Sequence, residues 1–124
     1  MKITATNKAP GAIGPYSQAI SANGFLFCSG QTGLIPETGK LPEGGVQAEA
    51  EQACRNVGAL LEANGIGFED VIKSTCYLAD IADFAAFNEV YAKYFTGKPA
   101  RSCFAVKDLP AGCLCEIEVI GVLK

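Results

Sequence analysis

The chain contains two arginines, Arg55 and Arg101, and no histidine. Without histidine, Ser-His-Asp and Cys-His nucleophilic catalysis are excluded, and so are most zinc sites. Arg101 follows Pro99-Ala100 and opens the apolar segment Ser102-Cys103-Phe104-Ala105-Val106. A cation so placed needs an anionic partner. That partner is either an Asp or Glu of the chain, or the carboxylate of a small substrate, which the planar guanidinium grips in bidentate fashion. Glu116 and Glu118 interrupt an apolar segment near the C-terminus. Two residues apart, they share one face of a strand. A carboxylate there is costly unless it is paired or wet. It is either a solvated group, or one paired with a lysine such as Lys73, or a desolvated carboxyl with a raised pKa that can move protons. An Arg101 close by would pull that pKa down again. With no histidine available, a glutamate is the natural proton carrier.

Other polar residues are weaker candidates. Ser29-Gly30-Gln31 follows Phe25-Leu26-Phe27-Cys28. Ser29 and Gly30 could orient a ligand through a hydroxyl and backbone donors, or merely end a strand. Asn88 falls in a helical stretch as a pocket residue or a surface amide, and Arg55 reads as a solvated charge. Gly39, Gly44 and Gly45 form no phosphate loop, because no Gly-Lys-Ser/Thr follows them. The cysteines at 28, 54, 76, 103, 113 and 115 make no Cys-x-x-Cys pair, which argues against redox and zinc-ribbon roles. Cys28, Cys54 and Cys76 are expected to act as small buried hydrophobes. No metal and no cofactor is expected.

The elements that must position these groups can be read from pattern. Tyr16–Ala22 and Phe25–Ser29 flank Asn23-Gly24, whose two positive φ angles make a type I′ hairpin. Residues 33–45 hold Gly33, Pro36, Gly39, Pro42, Gly44 and Gly45, and that density of turn formers predicts a loop. Val46–Asn64 has helical period, with Val46, Ala50, Ala53, Val57, Leu60 and Leu61 on the core side, Glu49 and Arg55 mostly elsewhere, and Asn64-Gly65 as the stop. Val71–Leu78 reads as a strand in which Ile72, Cys76 and Leu78 share one face. A second helix runs from about Ile81 to Phe95, with Asp80 as N-cap and a stripe of Ile81, Phe84, Phe87, Tyr91 and Phe95. Strands near Arg101–Lys107 and Leu114–Leu123 close the chain as a second hairpin, and Ile3–Thr6 can add a short strand.

This order predicts an α+β sandwich, one mostly antiparallel sheet with two helices on one face. In the last strand Cys115, Ile117, Val119 and Leu123 make one apolar face, while Ile120 and Val122 make the other apolar as well. A second apolar face with no helix left to cover it predicts sheet-to-sheet assembly. The chain has 124 residues, 49 % apolar and 19 % charged, so it should fold as one domain, 1–124, rather than remain disordered. A net charge of −3 argues against nucleic acid as a partner. No apolar run approaches the ~20 residues that span a bilayer. Met1–Lys8 has no apolar signal region, so a cytoplasmic location is expected.

Six motifs together resemble one family over the whole chain, the reactive intermediate deaminases (RidA, formerly YjgF). They are Ile13-Gly14-Pro15-Tyr16-Ser17-Gln18, Ser29-Gly30-Gln31, Asp83-Phe84-Ala85-Ala86-Phe87-Asn88, Pro99-Ala100-Arg101-Ser102-Cys103, Leu109-Pro110 and Glu116-Ile117-Glu118. The resemblance implies a chorismate-mutase-like fold, a homotrimer with sites in clefts between subunits, and hydrolysis of enamine/imine intermediates such as 2-aminoacrylate and 2-iminobutanoate to 2-keto acids and ammonia. It implies that Arg101 anchors the substrate carboxylate and that Glu116 activates water. Tyr16, Ser29, Gly30, Asn88 and Cys103 would line the pocket. The segment Thr96-Gly97-Lys98 is shorter than in many bacterial members, which leaves the preferred substrate size open. A non-catalytic metabolite-binding or regulatory trimer using the same cleft is the alternative. Ribonuclease action, attributed to some relatives, fits poorly with the acidic balance, and a chorismate mutase would need more cations.

Overall fold

The computed structural model describes residues 1–124. Six strands form a single mixed sheet: β1 Lys2–Thr4, β2 Ala19–Ala22, β3 Phe25–Cys28, β4 Val71–Leu78, β5 Ala100–Ala105 and β6 Cys115–Val122. Two helices, α1 Gly45–Glu62 and α2 Phe84–Tyr94, complete the α+β architecture. The strand order is β1-β2-β3-β6-β4-β5, antiparallel throughout except for the parallel pair β4–β5. No helix is long and apolar enough to cross a membrane.

The β2–β3 hairpin turns at Asn23 and Gly24, with φ of 54° and 82°. These are the left-handed values the Asn-Gly pair is suited to. Regular ladder pairing in β2 begins at Ala19, not Tyr16, although the Gln18 carbonyl still accepts from the Ser29 N–H; the Gln18 side chain serves a different purpose. It accepts from the Thr6 N–H at 2.7 Å and donates to the Thr6 and Pro10 carbonyls, tying the N-terminal loop down.

Both helices pack on one face of the sheet, against Leu26, Cys76, Leu78, Ile117 and Val119. The core-side residues expected of α1 are all buried. Glu49 is buried as well, contrary to its assignment to the polar side. Its carboxylate accepts from the Leu114 N–H at 2.8 Å, so it serves a backbone donor that the helix would otherwise leave dry. The Asp80 cap forms as expected, accepting from the Ala82 N–H. A short 3-10 turn at Ile81–Asp83 then precedes α2. That change of pitch leaves Ile81 and Phe84 exposed, and the buried stripe is Phe87, Val90, Tyr91 and Phe95.

Two expectations about the strands need correction. Ile72 is not in the core, because a register shift between Val71 and Lys73 turns it outward and leaves Val71, Ser74, Cys76 and Leu78 inside. The last two strands are not a hairpin. β5 lies beside β4 at the sheet edge, and β6 inserts between β3 and β4. The apolar β6 takes the central place where both of its edges are paired. The largely exposed β5 takes the edge.

Residues 116, 118 and 120 of β6 point to the face without helices, as do Lys73, Thr75 and Tyr77, their ladder partners on β4. The same face carries Ile3, Phe25, Phe27, Phe104 and Val122, all exposed.

Candidate active site

Arg101 projects from the start of β5 toward α2. Its Nη1 donates to Asn88 Oδ1 at 2.8 Å. The guanidinium carbon lies 4.6 Å from the centre of the Tyr91 ring and 5.6 Å from that of Phe84. The ion pairs of the chain are Arg55–Glu51 and Lys124–Asp70, so no carboxylate of the chain itself neutralises Arg101. Of the two partners open to Arg101 on sequence grounds, an internal ion pair is therefore excluded. Arg55, by contrast, is the surface charge expected.

An open cleft of about 480 Å³ runs beside this guanidinium, lined by Asn88, Tyr91, Thr96, Lys98, Pro99 and Arg101. Two cations and no acid face it. The geometry suits a small carboxylate, offered a fork already oriented on one side by an amide. Cys103 lies two residues on, half-buried against the core and beside its ladder partner Cys76. Burial raises the Cys103 thiol, with Arg101 opposing that shift, which favours its neutral form over the thiolate.

Glu116 is built differently. It is half-buried on the face away from the helices. Burial, and then the charge of Glu118, hold its carboxyl above the usual range. Arg101 exerts no opposing pull, contrary to expectation, because it stands on the other face of the sheet. Glu118 is neither free nor paired with lysine. Tyr77 donates its hydroxyl to it, and Lys73 instead donates to Ser102 at 3.3 Å.

Gly30 is the residue that makes room for Glu116. After β3 the chain pairs once more with β6, at Gln31 and Ile117. From Phe27 to Gln31 it takes four steps, against three from Ile120 to Ile117. The extra residue swings Ser29-Gly30 out of the ladder, as a bulge does. A Cβ on Gly30 would stand 2.2 Å from Glu116 Oε2. Ser29 donates its hydroxyl to the Ser17 carbonyl at 2.6 Å, so its proton is committed to the hairpin and only its lone pairs are open. Tyr16 is half-exposed and joins Gly30, Gln31 and Pro110 around a smaller cleft of about 90 Å³.

The residues singled out from sequence thus fall into two half-sites. Arg101, Asn88 and Cys103 form one, on the helix side of the sheet edge. The other gathers about Glu116 on the opposite side: Gly30 stands against it, Ser29 precedes Gly30 in the same bulge, and Tyr16 shares the smaller cleft with Gly30. The contacts missed from sequence are Tyr91 and Phe84 beneath the guanidinium, both assigned to the apolar stripe of α2. The signal available was their position: Tyr91 is three residues after Asn88, on the same helix face.

Comparison with known proteins gives a consistent picture. The family model described as Endoribonuclease L-PSP matches residues 6–123. The chain is 49 % identical over 122 residues to the 2-iminobutanoate/2-iminopropanoate deaminase of Mus musculus, covering 98 % of this chain and 90 % of that protein. It is 50 % identical over 123 residues to the chloroplastic Reactive Intermediate Deaminase A of Arabidopsis thaliana, covering 98 % of this chain and 66 % of that one. The crystal structure of E. coli TdcF with bound serine superposes with a TM-score of 0.95 at 41 % identity, over 100 % of both chains.

Proposed function

The chain belongs to the Endoribonuclease L-PSP family, which takes in the reactive intermediate deaminases, and from that premise we propose that it hydrolyses small 2-imino acids, and their enamine tautomers, to 2-keto acids and ammonia. The observation that carries this reading is Arg101: a guanidinium fixed by Asn88 and an aromatic ring, facing a cleft, with no carboxylate of its own chain to neutralise it. A serine-bound neighbour of nearly identical fold agrees with a small amino-acid-like ligand.

The chemistry follows from the two half-sites. Arg101 takes the substrate carboxylate. The imine carbon is already electrophilic, so water can add to it directly. Glu116 accepts a proton from that water as the C–O bond forms. Glu116 passes that proton to the imine nitrogen, giving the carbinolamine; as the C–N bond breaks it takes the remaining proton from the carbinolamine hydroxyl and gives it to the departing nitrogen, so both protons of the water leave with ammonia and the ketone remains. For an enamine, Glu116 first protonates the carbon to give the imine. A carboxyl held above its usual range by burial suits a group that must both take and give a proton near neutrality. Cys103 and Tyr16 would bound the substrate on either side, with Ser29 and Gly30 below the water.

One chain cannot bring Arg101 and Glu116 together, because they lie on opposite faces of their own sheet. The reading therefore requires that one subunit's Arg101 half-site meet another's Glu116 half-site. The apolar residues on the helix-free face, Phe25, Phe27 and Val122 among them, support burial against further copies of this chain, in a trimer. A purely regulatory trimer would need Arg101 but has no use for a desolvated glutamate. A ribonuclease reading, carried in the family's description, finds less support in a chain of net charge −3.

The deciding experiment is ammonia release from 2-aminoacrylate generated in situ by a serine-consuming pyridoxal-phosphate enzyme. The wild-type chain should accelerate release, and Arg101→Ala should not. Tight keto-acid binding without any acceleration by wild type would replace the enzyme reading with the regulatory one.

A further inference from the structure

The geometry points to Tyr91 and Ser74 as positioning residues that set the plane of the Arg101 guanidinium, and so the affinity for the substrate carboxylate. This inference rests on the carboxylate-anchor role of Arg101 given above. Three contacts close a triangle. Ser74 and Arg101 are direct ladder partners on β4 and β5, so their side chains leave the same face of the sheet. The Ser74 and Tyr91 hydroxyls share a hydrogen bond of 2.6 Å. The Tyr91 ring lies under the Arg101 guanidinium at 4.6 Å. The helix that supplies this platform also supplies Asn88 one turn earlier, so α2 presents a face and an acceptor together.

Packing alone does not account for the arrangement. Ser74 is completely buried on a face it shares with Cys76 and Leu78. A valine would fill such a place without the cost of hiding a hydroxyl. That hydroxyl is satisfied by Tyr91, and the bond fixes the ring in rotation. The ring is held a second time by Phe95, stacked on it at 4.1 Å and 8°. A guanidinium over an aromatic face is attracted by the ring's quadrupole, and the contact strengthens when water is excluded. With Asn88 on one edge and Tyr91 on one face, Arg101 loses its freedom before the ligand arrives. A bidentate carboxylate then meets a fork that need not be ordered on binding.

The test reads the split between KM and kcat, together with the Kd for 2-oxobutanoate, in variants shown to be folded by their melting curves. Tyr91→Leu should raise both KM and Kd roughly tenfold, within the range of a partly desolvated cation–π contact. Its kcat should stay within about threefold, since Glu116 is untouched. Tyr91→Phe and Ser74→Ala each remove the hydroxyl bond but keep the ring, and each should raise KM about threefold. The double variant should be no worse than either single one, because both delete the same bond. In an Arg101→Lys background, Tyr91→Leu should have little further effect, as no planar guanidinium remains to be oriented. A purely structural Tyr91 would lower the melting temperature with KM unmoved, or would act equally in the wild-type and Arg101→Lys backgrounds, and either result overturns the inference. If Tyr91→Leu does not fold, unchanged KM and Kd in Tyr91→Phe and Ser74→Ala overturn it alone. An Arg101→Ala variant that still binds 2-oxobutanoate would instead refute the anchor role, which separates the two failures.

Discussion

Gly30 is held so close to Glu116 that a single methyl on its Cα would fall 2.2 Å from Oε2 and 2.8 Å from Cδ of the carboxyl group. Gly30 is not among the glycines with positive φ, so conformational freedom is not what the position demands. It demands the absence of a side chain. Gly30→Ala should therefore fold, yet push the carboxyl aside and cut kcat by ~10²-fold or more, the scale of a misplaced general base. Steady-state kinetics on 2-iminobutanoate, with a thermal melt of the same preparation, checks this. Near-normal turnover would mean that Glu116 does its work from another position.

Glu116→Gln keeps the shape and loses the proton. It should bind 2-oxobutanoate normally while kcat falls ~10²-fold or more, and Glu118→Gln should do much less. The same substitution has a consequence for stability. Because the native carboxyl is held above its unfolded value, its contribution favours the fold at low pH and is lost as pH rises through the raised pKa. Above that raised pKa the ionised Glu116 is thus a liability. Glu116→Gln should melt higher than wild type at pH 7, with the advantage vanishing below the ordinary glutamate range near ~4.3. Melting curves on either side of that range decide it, and an advantage that grew on acidification would reverse the sign of the argument.

The opposite placement of Arg101 and Glu116 makes a prediction about mixtures. Arg101→Ala and Glu116→Gln chains should each be inactive alone. Refolded together, they should regain activity in up to about one site in four, as random assortment of two kinds of subunit allows. Mixed assemblies verified by native mass spectrometry that stay dead would place both groups on one chain. Sedimentation equilibrium of the wild type should give about three chain masses, and a stable monomer would remove the shared site.

A fourth prediction concerns a residue far from the chemistry. Asn56 is buried on α1 and donates to the carbonyls of Thr32 and Leu34 at 2.9 and 2.8 Å. These bonds pin the strand-to-helix loop directly after Gln31. Asn56→Ala would leave two dry carbonyls and should lower stability by about 2–3 kcal/mol in urea titrations. A loss under about 0.5 kcal/mol would mean that water replaces the amide.

What can be read from the residues, and what cannot, divides along physical lines. Asn23-Gly24 announces its turn because few other residues accept both φ angles. Val71–Leu78 announces a strand by composition, but the displacement of Ile72 comes from a ladder irregularity that no alternation pattern records. Cys115, Ile117 and Val119 correctly name the helix-facing side of β6, since period two survives without knowledge of neighbours. The place of β6 between β3 and β4 does not show, because strand order depends on which edges remain open once all elements exist. For the same reason Arg101 and Glu116 can be named from their motifs while their separation cannot. Opposite faces are a property of ladder register, and both residues are registered through β4, Arg101 against Ser74 and Glu116 against Tyr77. Glu49 reads as a solvent group, and nothing in the pattern marks Asn56, because their backbone partners lie on remote loops.

The position of β6 also bears on how the chain is made. It is the last of the six strands in chain order and lies between the first three and the other two. Until Cys115–Val122 docks, β1–β2–β3 and β4–β5 are separate ribbons, and β3 and β4 each expose an unpaired edge. During synthesis those edges are the surfaces most able to pair wrongly, within the chain or with a neighbouring copy. Closing the sheet requires contacts of long sequence separation, so it is the slow step expected of such a topology. Glu116 rides in on that strand. The Arg101 cleft, by contrast, is lined by α2 and the segment leading into β5, so the carboxylate anchor and the proton carrier enter the sheet in separate pieces of the chain.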